Sequence, residues 1–435
     1  MTRQLNRRAL LGTGLLAGVS ACTSTPTPAA PPAVSQPPPF DPRDWASVRA
    51  QFALDPRVAQ FAAFVLAPAP APVRAAIERH RAGLDADPHY LPPGGDAPDQ
   101  AIRAAAARFV GGEAGQIALT DSTTMGLGLL YSGLRLRPGQ DVLTTEHDFL
   151  STHEGLRLLA ARTGARVRRV RLYDHPTTAS AERIVEAIRK GLGPRTRVVA
   201  VTWVHSSTGV RLPVRAIADM LAKVNEGRDE RDRALLCVDG VHGFGAMADG
   251  VADLGCDFLA TGTHKWLFGP RGTGILWGRA WDALSPVIPG FEEPSFVAWQ
   301  RGEAPAAVTA ELVTPGGYKA FEQRWAMPEA FAFQEAIGKD RVQRRTQELA
   351  TRLKEGLRAI SHVTVMTPAG AELSAGLVCC AIAGMQPQAA VARLRERGVA
   401  ASTTPYVPSL LRFGTSIVTS PEEVDRAVKA VAALR

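Results

Sequence analysis

Cysteine is too scarce in this chain to hold a fold together: five occur in 435 residues, at positions 22, 237, 256, 379 and 380. Cys237, Cys256, Cys379 and Cys380 sit in or beside apolar, strand-like segments. Neither metal-ligand spacing nor a disulfide framework is present, so buried thiols and no metal site are expected. A bilayer-spanning run is also missing, since the apolar stretch near the N-terminus falls short of the roughly 20 residues a helix needs to cross. Charge is not gathered into blocks. The formal net charge is +8, but acidic residues are interspersed throughout, and a nucleic-acid footprint is not indicated. No internal repeat is visible, and lysine is rare, with seven in the chain.

What is present begins with an export signal. Residues 1–22 carry Asn6-Arg7-Arg8-Ala9-Leu10-Leu11, a twin-arginine n-region, followed by a short apolar stretch ending at Ala21. Removal of that segment takes Arg3, Arg7 and Arg8 with it and leaves a mature charge near +5. Val19-Ser20-Ala21-Cys22 further resembles a bacterial lipobox, in which Cys22 would be lipidated; a plain cleaved signal is the alternative. Residues 23–40 are rich in Pro, Thr, Ser and Ala, cannot build a core, and read as an extended tether. The expectation is an exported protein, periplasmic or anchored to a membrane through Cys22.

With 46% hydrophobic residues the remainder can bury a large core, organised in two lobes. Residues 41–314 read as an N-terminal arm and a large domain, and residues 315–435 as a smaller α+β domain with its connecting helix. In the large part, helical stretches alternate with short apolar runs, the pattern of an α/β domain with a mainly parallel sheet. Strands are expected at 116–119, 141–144, 166–171, 198–203, 235–239, 258–261 and 274–277. One long helix from about Pro328 to Ile360 should lead into the small lobe, with strands near 363–366 and 377–382, a helix over 387–397 and a closing helix from Pro421.

Chemistry concentrates at the strand ends. One apolar run ends on Asp239, and the next leads to Thr263-His264-Lys265-Trp266. A carboxylate and an amine so placed suit pyridoxal phosphate, whose ring nitrogen takes the first and whose aldehyde takes the second. Asp121-Ser122-Thr123-Thr124 lies between a strand and a helix, where hydroxyls and free backbone N–H groups form a phosphate site or an ordinary N-cap. His147 follows another strand and could lie against an aromatic ring or be a plain loop residue. Ser206 and His242 could each reach a ring oxygen.

Together these stretches resemble the class V aminotransferase family of fold-type I pyridoxal phosphate enzymes, which includes cysteine desulfurases and isopenicillin N epimerase. The match runs from Phe64-Val65-Leu66-Ala67-Pro68 to Arg412 and includes Gly269-Pro270-Arg271-Gly272-Thr273-Gly274. Pro315-Gly316-Gly317-Tyr318 and Phe321-Glu322-Gln323-Arg324-Trp325 resemble the epimerase-like branch.

The resemblance implies that Lys265 forms the internal aldimine, that Asp239 protonates the pyridine nitrogen, and that His147 stacks on the ring. Ser122, Thr123, Thr124, Thr263 and His264 would hold the phosphate, Ser206 and His242 the ring oxygen, and Arg412 the α-carboxylate of an amino-acid substrate. A homodimer is implied as well. Two departures stand out. Residues 400–411 hold no cysteine, which disfavours a persulfide-forming desulfurase, and Arg324-Trp325 replaces the Gly-Thr that in many members reaches the neighbouring subunit's phosphate. Epimerase-like chemistry is the first expectation, C–S lyase or aminotransferase activity the alternatives, and an exported protein that binds the cofactor without turnover the reading from another class.

Overall fold

The computed structural model describes residues 39–92, 98–305 and 307–434; the signal, Cys22 and nearly all of the tether lie outside the described residues. Seven strands form the large sheet: β1 Ile117–Thr120, β2 Asp141–Thr145, β3 Arg166–Val170, β4 Thr196–Thr202, β5 Leu235–Asp239, β6 Phe258–Gly262 and β7 Gly274–Gly278. Their order is β1-β7-β6-β5-β4-β2-β3. Only β7 runs against the rest, pairing antiparallel with both β1 and β6.

Alternate residues of the central strands enter different cores. Leu236 and Val238 face one apolar cluster while Leu235 and Cys237 face another, and Leu259 is likewise separated from Phe258 and Ala260. A sheet covered on both faces explains why its strands read as continuous apolar runs rather than alternating ones. Helices such as Thr123–Gly133, Leu150–Thr163 and Val214–Asn225 supply that cover.

The C-terminal part builds a four-stranded antiparallel sheet from β8 Val363–Val365, β9 Leu377–Ile382, β10 Ser402–Thr403 and β11 Leu411–Gly414, in the order β10-β11-β9-β8. Helices Lys339–Arg358 and Pro421–Ala432 pack in its core. Two expectations need correction here. The single helix expected over 328–360 is two, Met327–Ile337 and Lys339–Arg358, divided at Gly338 with φ 90°. That positive φ suits glycine and stops the first helix. The first helix packs with the large-domain helices 71–86 and 98–110, and the second with the small sheet. The other correction is β10 and β11, which were not expected at all: a short strand after Pro405 and Pro408 carries little local signal, and β11 forms because β9 pairs with it from Leu377 to Cys380.

The four cysteines described are free and buried, as expected from their apolar surroundings. Among the described residues no helix is long and apolar enough to cross a membrane, and no group of side chains has the makings of a metal site.

Candidate active site

The ends of β1, β2, β4, β5 and β6 and a loop of the small sheet enclose a cavity of about 150 Å³. Ser122, Thr123 and Thr124 line one part, Asp239, His242, His264 and Lys265 another, and Ser206 and Arg412 a third. The sheet order accounts for the convergence: Asp239 ends β5, Lys265 follows its neighbour β6, and Ser206 follows its other neighbour β4.

Asp239 is 1% exposed and accepts one hydrogen bond, from the Val241 N–H at 3.0 Å. Burial pushes its carboxyl up to about 7, the charge of Asp148 adds to that, and Lys265 opposes it. Lys265 is driven the other way, its amine made less basic by burial and by Arg412. His242 accepts the Trp266 indole N–H on Nδ1 at 3.0 Å. Indole only donates, so the proton of the neutral ring is on Nε2, and burial keeps that ring neutral. Ser122 is the N-cap of helix 123–133, accepting from the Met125 N–H at 3.1 Å, and it also lines the cavity. Thr123 Oγ1 accepts from the Gly262 N–H at 2.7 Å. A Cβ on Gly262 would lie 2.6 Å from the His264 ring and 3.2 Å from that hydroxyl, so the glycine leaves the cradle open. Thr124 Oγ1 and Ser151 Oγ lie 2.9 Å apart.

Arg412 reaches across from β11. It donates to the Ser206 carbonyl and to Ser402 Oγ, both at 3.2 Å, and its guanidinium lies 4.9 Å from the Phe64 ring centroid.

Two expected residues lie elsewhere. His147 does not line the cavity: its ring stacks on Tyr173, centroids 4.0 Å apart, and its Nε2 accepts from the Leu172 N–H at 3.3 Å. Phe149, two residues on, lines the cavity instead. The reason is Asp148 between them, which accepts from Thr144 Oγ1, the Thr145 N–H and Thr145 Oγ1 at 2.8 Å and from the Thr202 N–H at 2.7 Å. Pinned to both β2 and β4, this carboxylate turns the residue before it away and the residue after it in. Thr263 is fully buried outside the cavity, its hydroxyl paired with that of Thr273 and its carbonyl accepting from the Gly269 N–H at 2.9 Å. It braces the glycine-rich turn. Arg324 and Trp325 also point inward: Arg324 pairs with both oxygens of Asp99, and Trp325 stacks on Phe321 at 5.0 Å and contacts Tyr90 and His80. Phe149 and Ser151, which line the cavity, were missed, although Phe149 lies in the segment that drew attention to His147; Asp148 and Tyr406, missed as well, bond to the lining residues Thr202 and Ser206.

A buried carboxylate with no cation bonded to it, a desolvated amine facing the same cavity, and hydroxyls at a helix N-terminus form a donor set that fits a pyridine ring bearing a phosphate. On this sheet, they define a fold-type I pyridoxal phosphate enzyme. The chain belongs to the class V aminotransferase family, whose profile matches residues 99–426. It is 29% identical over 411 residues to isopenicillin N epimerase of Streptomyces clavuligerus, covering 90% of this chain and 98% of that one. It is also 28% identical over 295 residues to a probable cysteine desulfurase of Halalkalibacterium halodurans, covering 66% of each. Among solved structures, a C-DES variant with glycine covalently linked to its PLP cofactor superposes with a TM-score of 0.78 at 20% identity, over 89% of this chain and 99% of that one. A cysteine desulfurase from Escherichia coli gives 0.75 at 21%, over 89% and 97%.

Proposed function

We propose that the protein is an amino-acid epimerase. The observation that carries this reading is a cavity in which Lys265, Asp239 and Arg412 converge and, among the described residues, no thiol does. Bound there, pyridoxal phosphate supplies the electron sink that acidifies an amino acid's Cα–H. Lys265 takes that proton, a task for which burial has already lowered its basicity. Asp239 would hold a proton at the ring nitrogen, and His242, with its Nε2–H, and Ser206 would hold the ring oxygen. Ser122, Thr123, Thr124 and His264 would hold the phosphate, Phe149 would offer the ring an aromatic contact, and Arg412 would take the substrate carboxylate with a forked pair of hydrogen bonds. The near full-length likeness to isopenicillin N epimerases supports epimerisation over the alternatives.

Persulfide chemistry is disfavoured on physical grounds. Burial raises the Cys379 thiol to about 12 and the Cys380 thiol higher still, so neither supplies a thiolate. A C–S lyase without a protein thiol is the second reading, favoured by the lyase and desulfurase likenesses.

Incubation of the purified protein with amino acids in deuterated water separates these outcomes. Cα exchange with inversion is expected; pyruvate release would make it a lyase, and dependence on an added 2-oxo acid an aminotransferase. Visible absorbance of the bound cofactor should change in Lys265→Ala, and a colourless wild type that cannot be reconstituted would overturn the reading.

Export through residues 1–22, with lipidation at Cys22, is part of the proposal and rests on sequence. Mass spectrometry of the mature N-terminus tests it. A homodimer is likewise proposed, in keeping with exposed apolar side chains at Leu150, Phe291 and Trp299, and sedimentation would test that.

A further inference from the structure

We propose that Tyr406 is the second proton-transfer group of the site, acting on the face of the substrate Cα opposite Lys265. This rests on the epimerase reading and deepens it.

Inversion at Cα removes hydrogen from one face and delivers it to the other, and one amine held on one side does not serve both. The strand order separates the two sides. From Asp239 at the end of β5, Lys265 lies toward β6, whereas Ser206 and Phe149 lie toward β4 and β2. Tyr406 rests on that second side: its hydroxyl is 2.8 Å from Ser206 Oγ and its ring centroid 6.0 Å from that of Phe149.

The loop presenting it is tied shut. The Thr404 N–H donates to the Leu410 carbonyl at 2.9 Å, the Leu410 N–H to Thr404 Oγ1 at 2.9 Å, and Ser409 Oγ to the Thr404 carbonyl at 2.7 Å. Val407 at the tip is wholly exposed while Tyr406 beside it turns inward.

The other titratable groups of the neighbourhood are committed. Asp239 and His242 serve the ring, and His264 bonds the Thr273 carbonyl at 3.2 Å on the β6 side. Asp148 is saturated with donors, and His205 is fully buried behind Ser206 with Tyr173 on its Nδ1 at 2.9 Å. His147 is stacked on Tyr173 with its Nε2 accepting from the Leu172 N–H, and Tyr406 is the group on the β4–β2 side whose hydroxyl bonds a residue lining the cavity, Ser206. Burial raises the Tyr406 phenol, with the Ser206 hydrogen bond and Arg412 opposing, so the group rests as O–H.

The proton count closes. The Cα–H bond breaks toward Lys265 Nζ, which becomes an ammonium; the Tyr406 O–H bond breaks and its proton bonds to Cα on the other face. Water then returns a proton to the phenolate and takes one from the ammonium, with no net change. The reverse direction starts with phenolate and ammonium and runs the same bonds backward.

The test uses the full-length cofactor-loaded protein, wild type and Tyr406→Phe, with L- and D-enantiomers of alanine, serine and methionine in deuterated water. Deuterium at Cα is read by NMR, the enantiomer ratio by chiral chromatography, and cofactor affinity by absorbance titration of the reconstituted apoprotein. Wild type is expected to exchange and invert both enantiomers. In Tyr406→Phe inversion should fall by about 10²-fold or more, the usual loss for a positioned acid–base group. Washout from one enantiomer, the one served by Lys265, should persist, and cofactor affinity should hold. Unchanged inversion, equal loss of exchange and inversion, or loss of cofactor binding in Tyr406→Phe would each overturn the role of Tyr406 alone, whereas a wild type that exchanges a single enantiomer without inversion would overturn the epimerase reading. No exchange in wild type with any probe would also overturn the epimerase reading.

Discussion

Asp148, buried behind the cavity wall, and Arg412, which lines the cavity, are charged side chains that the structure treats differently. Asp148, in the wall made by the large sheet, accepts four hydrogen bonds at 2.7–2.8 Å and ties β2 to β4. Arg412, in the wall made by the small sheet, commits two donors at a longer 3.2 Å and lays its plane on Phe64. A guanidinium has five N–H donors, so the rest remain for a ligand. One wall is therefore saturated and acts as a frame, while the other keeps bonding capacity in reserve. Asp239 belongs to the reserve as well, since it carries one backbone hydrogen bond and a carboxyl raised to about 7.

This difference is tested most strongly at Asp239. A carboxyl raised in the fold stabilises it fully below the unfolded value of 3.8 and loses that contribution as pH rises through about 7. The gap of about three units corresponds to roughly 4 kcal/mol. Cofactor-free Asp239→Asn should thus be more resistant to denaturant than cofactor-free wild type at pH 8, by on the order of 4 kcal/mol, with the difference vanishing near pH 4. Its cofactor affinity should fall. A wild type equally stable at both pH values, relative to the variant, would show that the fold bears no such cost.

Asp148→Ala should act with the opposite sign. It strands the N–H groups of Thr145 and Thr202, at about 1–3 kcal/mol each, so a loss of about 3 kcal/mol is expected in urea melts of apo and loaded protein alike. Arg412→Lys should leave those melts almost unchanged and raise KM about 30-fold, the equivalent of about 2 kcal/mol for a lost forked contact. If Arg412→Lys unfolds the protein as Asp148→Ala does, the two walls are not distinct.

The large sheet was legible because its central strands are buried on both faces, and Leu235–Asp239, fully buried and ending on a carboxylate, stands out locally. Lys265, Asp239 and the Ser122 segment followed from that pattern. Strand β11 was not legible, for Leu411–Gly414 is a strand through its pairing with β9 and β10. Tyr406 was hidden for the same reason, its inward turn being fixed by bonds between Thr404 and Leu410 that no local pattern announces. His147 shows a subtler failure. The strand end was read correctly, but which of three successive side chains enters the cavity depends on the carboxylate between them, and its donors on β4 are 54 residues away.

That last point yields the smallest and sharpest contrast. Phe149 and His147 flank the same anchor, one facing the cavity and the other stacked on Tyr173. An aromatic contact of this kind is worth about 0.5–1.5 kcal/mol. Phe149→Ala should therefore weaken cofactor binding about two- to tenfold, read from absorbance titration of the apoprotein. His147→Ala should lower thermal stability by a comparable free energy while leaving that affinity within about twofold. If His147→Ala loosens the cofactor more than Phe149→Ala does, then Asp148 does not set which side chain enters the cavity, and the frame assigned to this wall fails at the residue chosen to define it.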